Sequence, residues 1–202
     1  DFDDLEITLN KTLEEIGQIR TLMEEHNRWI SAQSDLTITR KIQLSLLPRV
    51  FPPFPEHQEF DVFASILPAR EISGDFYDFF MIDADRMGFV IGDVSGKGIP
   101  AVIYMAICRT LIRATGMKGV SSSECIYSVN NLLCRESASS MFVTVFYGIL
   151  NVISGEVDYV NTGQNTPFLL SSAGITRVER TEGASLGRAE NLHYGSGKIL
   201  LN

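Results

Sequence analysis

The sequence has 202 residues, 45% of them hydrophobic, an ordinary globular composition with enough length for one good-sized core and an appendage. A formal net charge of −8 and a pI near 4.9 argue against a nucleic-acid binder, whose affinity rests on neutralising phosphates with Lys and Arg, and against docking on an anionic membrane surface. The longest nearly uninterrupted apolar run, Ala101 to Cys108, is far short of the roughly 20 residues that span a bilayer, so no direct membrane insertion is expected.

No signal-peptide pattern opens the chain, and because it starts at Asp1 without an initiator Met it is expected to be part of a longer polypeptide. Cys108, Cys125 and Cys134 form an odd set without CxxC spacing. They read as free thiols, mostly buried, in a reducing compartment: the cytoplasm, or the cytoplasmic part of a membrane-bound sensor. No local signature marks any of them as a nucleophile.

Residues 1–38 differ in kind from the rest. Leu9, Leu13, Ile16, Met23 and Ile30 follow a heptad seam, with Arg20 and Asn27 at the intervening positions. The plain reading is an amphipathic helix lying on its own domain. The sharper one, adopted as the expectation, is a two-stranded coiled coil that leads in from an upstream module and makes a homodimer. TRKIQLSLLP is a second helical segment ending at Pro48, and the proline-dense stretch Val50 to Glu56 is an extended hinge.

From Phe60 the pattern turns to strands: DVFASILPA, DFYDFFMI and MGFVIGDV. PAVIYMAICRTLIRATG reads as a buried helix with Pro100 near its start and Gly116 past its end, and SSSECIYSVNNLLCRES as a second helix capped by its serine run. MFVTVFYGILN, GEVDYVNTG, TPFLLSS and ITRVER then read as consecutive antiparallel strands. Strands, a helix pair and more strands predict an α+β layered domain, not a βαβ nucleotide fold.

Two Gly-Asp pairs, in ISGDFYDFF and FVIGDVSGKGIP, place Asp75 and Asp93 at the ends of apolar strands. Glycine there permits a sharp turn and leaves room for an ion, and converging carboxylates repel unless cations sit between them. Oxygen ligands without nearby His or Cys favour Mg²⁺ or Mn²⁺ over zinc. The plainer alternative is that each aspartate caps a turn. GDVSGKG is not a phosphate-cradling loop: Gly92 and Gly96 enclose three residues where that motif needs four, and Gly98 follows Lys97. His26, His57 and His193 are scattered without ligand spacing.

RKIQLSLLP, PAREISGDFYDFF, GFVIGDVSGKGIPA, MFVTVFYGIL and YVNTGQNTP occur in an order that resembles the SpoIIE/RsbU-like branch of the PPM metal-dependent serine/threonine phosphatases, from about Thr39 to Asn202. The resemblance implies a four-layer α-β-β-α sandwich, two antiparallel sheets flanked by helices, with two Mn²⁺ or Mg²⁺ ions at one edge. It makes Asp75 and Asp93 catalytic metal ligands, Asp93 touching both ions, with the Val94 backbone carbonyl as a further ligand. A metal-bridging water would attack phosphorus in line, without a phosphoenzyme.

Asp78, three residues after Asp75, belongs on the opposite strand face, with a water-mediated or supporting role as one option. Arg70 stands where some relatives carry a phosphate-contacting arginine, with a surface arginine as the alternative. Lys97 could steer an anionic substrate or serve solubility alone. The family's Gly-His-Asn turn appears here as Gly163-Gln164-Asn165, and Gln cannot titrate. The family's later Thr-Asp-Gly turn and further acidic motif, which supply its remaining metal aspartates, are absent from these 202 residues. The expectation is therefore a half-site of carboxylates that holds divalent ions weakly.

The sequence reading is thus a helical linker over 1–38 and a C-terminally incomplete phosphatase domain over 39–202. Its expected substrate is a phosphoserine or phosphothreonine on a STAS-domain anti-sigma-factor antagonist. The rival is a catalytically silent phosphatase-like module that serves as a binding or dimerisation scaffold.

Overall fold

The structure, a computed structural model, describes residues 21–25, 37–67, 73–136 and 141–201. The heptad seam over residues 1–38 lies largely outside them. Residues 37–46 are helical and are called α1. Strands β1 (Phe76–Met81) and β2 (Arg86–Val94) follow, then helices α2 (Ile99–Gly116) and α3 (Ser122–Glu136). The remaining strands are β3 (Val143–Asn151), β4 (Glu156–Asn161), β5 (Phe168–Ser171), β6 (Gly174–Arg177) and β7 (Gly197–Leu200).

All pairings are antiparallel, in a five-stranded sheet of order β1-β2-β3-β4-β7 and a separate β5-β6 ribbon. The chain therefore adopts the α+β class expected from its strand and helix pattern. Two details differ. The alternating segment 61–67 forms no strand: Val62 and Ala64 turn toward the sheet while Asp61, Phe63 and Leu67 face solvent, which is strand periodicity without a ladder partner. The four late strands are also not one consecutive meander. After β4 the chain turns at Gly163 (φ 95°), β5 and β6 leave the sheet, and β7 takes the place beside β4.

Side chains alternate across a strand, so the register sorts them onto two faces. Phe76 and Phe80 of β1, Val90 and Val94 of β2, and Val143, Val145 and Tyr147 of β3 pack against α2 and α3 through Met105, Cys108, Ile112, Ile126 and Val129. The other face carries Phe79, Met87, Phe146, Leu150, Val157 and Tyr159, covered by Phe51 and Phe54 of the hinge, by Phe60 after it, and by Leu169 and Val178 at the ribbon. Burial on both faces explains why β1 and β3 read as nearly continuous apolar runs.

Helix α2, with Gly98, is long and apolar enough to cross a membrane by composition, and it is buried on one face only, not all round as expected: Ala101, Met105, Cys108 and Ile112 have no exposed surface, whereas Ile99, Ile103 and Ile107 face solvent. Its start carries Pro100 as expected, and Ser121 Oγ caps α3 by accepting the Glu124 amide hydrogen bond at 3.3 Å.

The even-numbered β1 face buries a charge, Asp78. Arg113 grips it with two hydrogen bonds, Nε to Oδ2 at 2.8 Å and Nη2 to Oδ1 at 2.6 Å, while Arg109 Nη2 lies 3.1 Å from Oδ2. Arg113 also donates to the Phe79 carbonyl and lies 4.9 Å from the Phe80 ring centre. This triad ties α2 to β1. Removing the carboxylate strands two guanidiniums, so Asp78→Ala should lower the unfolding free energy by about 3 kcal/mol. The exposed Arg135–Glu190 pair is the control, and Arg135→Gln should cost no more than about 0.5 kcal/mol in the same denaturant titration.

Burial raises the Cys125 thiol to about 12 and pushes the Cys108 thiol up as well. A raised pKa means the folded state retains the proton. The associated stability is complete below the ordinary thiol value and is lost as pH rises through the folded one. Thermal unfolding temperatures should accordingly fall from about pH 9 upward, less steeply in Cys125→Ala relative to its own neutral-pH value. At neutral pH neither thiol should react with a thiol reagent until the protein is denatured.

Candidate metal centre

The odd-numbered face, away from the helices, carries the two Gly-Asp aspartates. Phe76 pairs with Gly92 and Asp93 with Thr144. Extending the β1–β2 register by one residue sets Asp75 directly opposite Asp93, and the Val94 amide donates to the Gly74 carbonyl at 3.4 Å. The carboxylates face a cleft of about 340 Å³ whose walls include Ile66, Tyr77, Ile91, Gln164 and Asn165. Their flanks Phe76, Gly92 and Val94 are buried, whereas Asp93 itself is exposed and Asp75 half-buried.

The glycines act differently from the sequence expectation. A Cβ on Gly92 would stand 2.5 Å from Cζ of the Phe76 ring, and one on Gly74 would stand 2.7 Å from Val94 Cβ. Their missing side chains are filled by packing, which lets β1 and β2 close on each other and presents the two carboxylates to one space. The sharp turn comes later, at Gly96 (φ 100°) and Gly98 (φ 76°).

Although Asp93 is open to solvent on one side, desolvation by the cleft wall first, and the neighbouring Asp75 charge second, raise its carboxyl above the usual range. Two carboxylates facing one cleft repel each other, a repulsion that a cation between them would relieve. The donors are all oxygen, which suits Mg²⁺ or Mn²⁺. Among the described residues no group of three or more His, Cys, Asp or Glu gathers at one point, so the aspartate pair is the carboxylate set they bring to this cleft.

Asp78 faces the helices with its oxygens occupied by Arg109 and Arg113, and it is not part of the cleft. Arg70 lies outside the described residues. Lys97 is exposed in the loop between Gly96 and Gly98, away from the cleft lining. The GQN turn does reach the site: Gln164 Nε2 donates to the Thr144 carbonyl at 3.3 Å, and Thr144 Oγ1 donates to the Asp93 carbonyl at 3.4 Å.

One supporting residue escaped the sequence reading. Gln43 of α1 is fully buried, and its Nε2 donates to the carbonyls of Ser73 (2.9 Å) and Asp75 (3.2 Å). The signal was present in RKIQLSLLP, where Thr39, Gln43 and Leu47 fall four apart on one helix face and all three are buried.

A solved structure of the SiaA-PP2C domain of Pseudomonas aeruginosa superposes on 86% of this chain and 69% of its own with a TM-score of 0.62 at 15% identity, which defines the fold as that of a PP2C phosphatase domain. The family model for stage II sporulation protein E (SpoIIE) matches residues 83–202, and the chain belongs to that family. Among curated relatives, Protein IcfG of Synechocystis is 28% identical over 94% of this chain and 34% of its own length. Phosphoserine phosphatase RsbU of Bacillus subtilis is 28% identical over 80% of this chain and 48% of its own. The chain thus spans between a third and a half of these relatives.

Replacing one carboxylate removes the repulsion together with the ion's ligand. Asp93→Asn should raise the melting temperature by roughly 1–3 °C in chelator, while abolishing the stabilisation that Mn²⁺ gives the unaltered protein. Scanning fluorimetry with and without Mn²⁺ reads both effects.

Proposed function

We propose that this chain is the phosphatase module of a bacterial signalling protein. It hydrolyses phosphoserine or phosphothreonine on a partner protein, a STAS-type anti-sigma-factor antagonist. The observation that carries the reading is the β1–β2 register, which sets Asp75 against Asp93 at the rim of a cleft on a PP2C fold. The relative RsbU is named a phosphoserine phosphatase, and the SpoIIE family membership supports the same chemistry.

The Asp75 and Asp93 carboxylates and the Val94 carbonyl would hold divalent cations, two Mn²⁺ or Mg²⁺. When bound, these cations supply the positive charge that activates water and offsets charge building on the phosphoryl oxygens. The protein contributes positioning. The strand pair fixes the carboxylates, Thr144 and Gln164 brace the Asp93 backbone, and Asn165, which lines the cleft, would donate its side-chain amide to a phosphoryl oxygen. Water attacks phosphorus, the bond to the seryl or threonyl oxygen breaks, and the alcohol leaves with a proton. No phosphoenzyme is invoked, since Cys108 and Cys125 are buried on the helix side of the sheet.

Residues 1–38 are proposed as the linker and dimerisation segment and 39–202 as the phosphatase domain of a cytoplasmic protein or the cytoplasmic part of a sensor. An apolar groove between α1 and α2, lined by Ile42, Leu46, Ile103 and Ile107, offers surface for the homodimer. Gln43 offers a route from α1 to the Asp75 backbone. The small carboxylate set among the described residues favours the second reading, a silent module that binds the phosphorylated partner without hydrolysing it.

The two readings part in one assay: phosphate release from a phosphoserine STAS protein by the full-length protein, with Mn²⁺ against chelator. The phosphatase reading expects Mn²⁺-dependent release that drops on the order of a hundredfold in Asp93→Asn. Binding of the phosphoprotein without release would establish the silent module instead.

A further inference from the structure

The geometry points to a second ligand site, a phosphate-binding pocket at the outer edge of β1 where the hinge wraps past α2. It is independent of the metal centre and of the proposed catalysis. A cavity of about 340 Å³ there is lined by Leu47, Arg49, Phe54, Phe79, Arg109 and Arg113. Three arginines line this one cavity in a chain whose formal net charge is −8.

The local charges do not balance. Asp78 is the sole carboxylate paired with Arg109 and Arg113 among the described residues, and Arg113 already takes two of its hydrogen bonds. Arg49 donates its Nε to the Leu44 carbonyl at 2.7 Å, closing the end of α1, and has no ion pair among the described residues. Two positive charges are left in excess. Arg109 is also under-served: its side chain is 16% exposed and its Nε is buried without an acceptor.

Two unbalanced guanidinium charges match a doubly charged oxyanion better than a single carboxylate. Arginine forks bind phosphate oxygens in pairs, and the chemistry selected is a phosphate monoester or inorganic phosphate. Phe54 and Phe79, whose ring centres lie 6.2 Å apart, give the pocket an apolar wall on which the organic part of an ester can rest. Occupancy would join Arg49, on the stretch after α1, to Arg109 and Arg113 of α2.

The test is an NMR titration in chelator, so that the carboxylate cleft holds no cation and repels anions. Inorganic phosphate and adenosine 5′-monophosphate are the two probes, with chloride at matched ionic strength as reference. Saturable shifts are expected at the Nε–H signals of Arg49, Arg109 and Arg113 and at the amides of residues 46–50. Tighter binding of the nucleotide assigns the apolar wall to an organic phosphate, and equal binding assigns the site to the phosphate group alone.

Arg49 is exposed, so Arg49→Gln leaves the fold intact, which an unchanged amide spectrum checks; it should weaken both probes on the order of tenfold. Arg49→Lys should fall between, and Asp93→Asn should bind like the unaltered protein. Absence of saturable shifts, shifts that chloride reproduces, or affinity indifferent to Arg49→Gln would each overturn the proposal.

Discussion

The antiparallel pairing of β1 with β2 is the constraint on which the rest of the molecule depends. It is tight because Gly92 leaves its side-chain space to the Phe76 ring and Gly74 leaves its own to Val94. That closeness aligns Asp75 with Asp93, and the same register sends Phe76, Phe80, Val90 and Val94 into the helix-side core. A slip of one residue would exchange the two faces, burying the site aspartates against α2 and turning the core residues outward. Packing and site chemistry therefore rest on one set of backbone hydrogen bonds.

Within β1 the two faces treat a carboxylate in opposite ways. Asp78 is closed off from water and compensated by Arg109 and Arg113, so its charge serves to hold α2 on the sheet. Asp75, three residues earlier, faces a cleft with another carboxylate and, among the described residues, no cationic side chain in its lining. The difference follows from strand parity and from what each face meets: an arginine-bearing helix on one side, an open rim on the other. The uncompensated pair is the one we propose binds divalent cations, and α1 braces its backbone through Gln43, whose amide donates to the Asp75 carbonyl.

Much of this was legible in the sequence because its signals were local. Apolar runs rich in Phe, Val, Ile and Tyr marked β1 to β4, Pro100 and the serine run marked the helix starts, and the Gly-Asp pairs marked two strand ends that meet at one cleft. Asp78 was assigned to the face opposite Asp75 by counting alone. What the sequence could not convey was which residues meet across distance. The guanidiniums on Asp78 come from more than thirty residues away, and Gln43 reaches a carbonyl 32 residues on. The role of the glycines was misjudged for the same reason, since the ring that fills the space at Gly92 belongs to the neighbouring strand. The segment 61–67 shows the limit of periodicity, which reports alternating burial and not a hydrogen-bonded ladder.

The central claim is that Asp75 and Asp93 together form the divalent-cation site. Paramagnetic broadening by substoichiometric Mn²⁺ in the amide spectrum of the labelled protein tests it directly, because the effect reports distance to the ion. Signals of residues 74–76, 92–95 and 163–165 should vanish first, while those around Arg109 and Arg113 across the sheet should persist. Broadening centred elsewhere, or spread evenly over the acidic surface, would contradict the assignment.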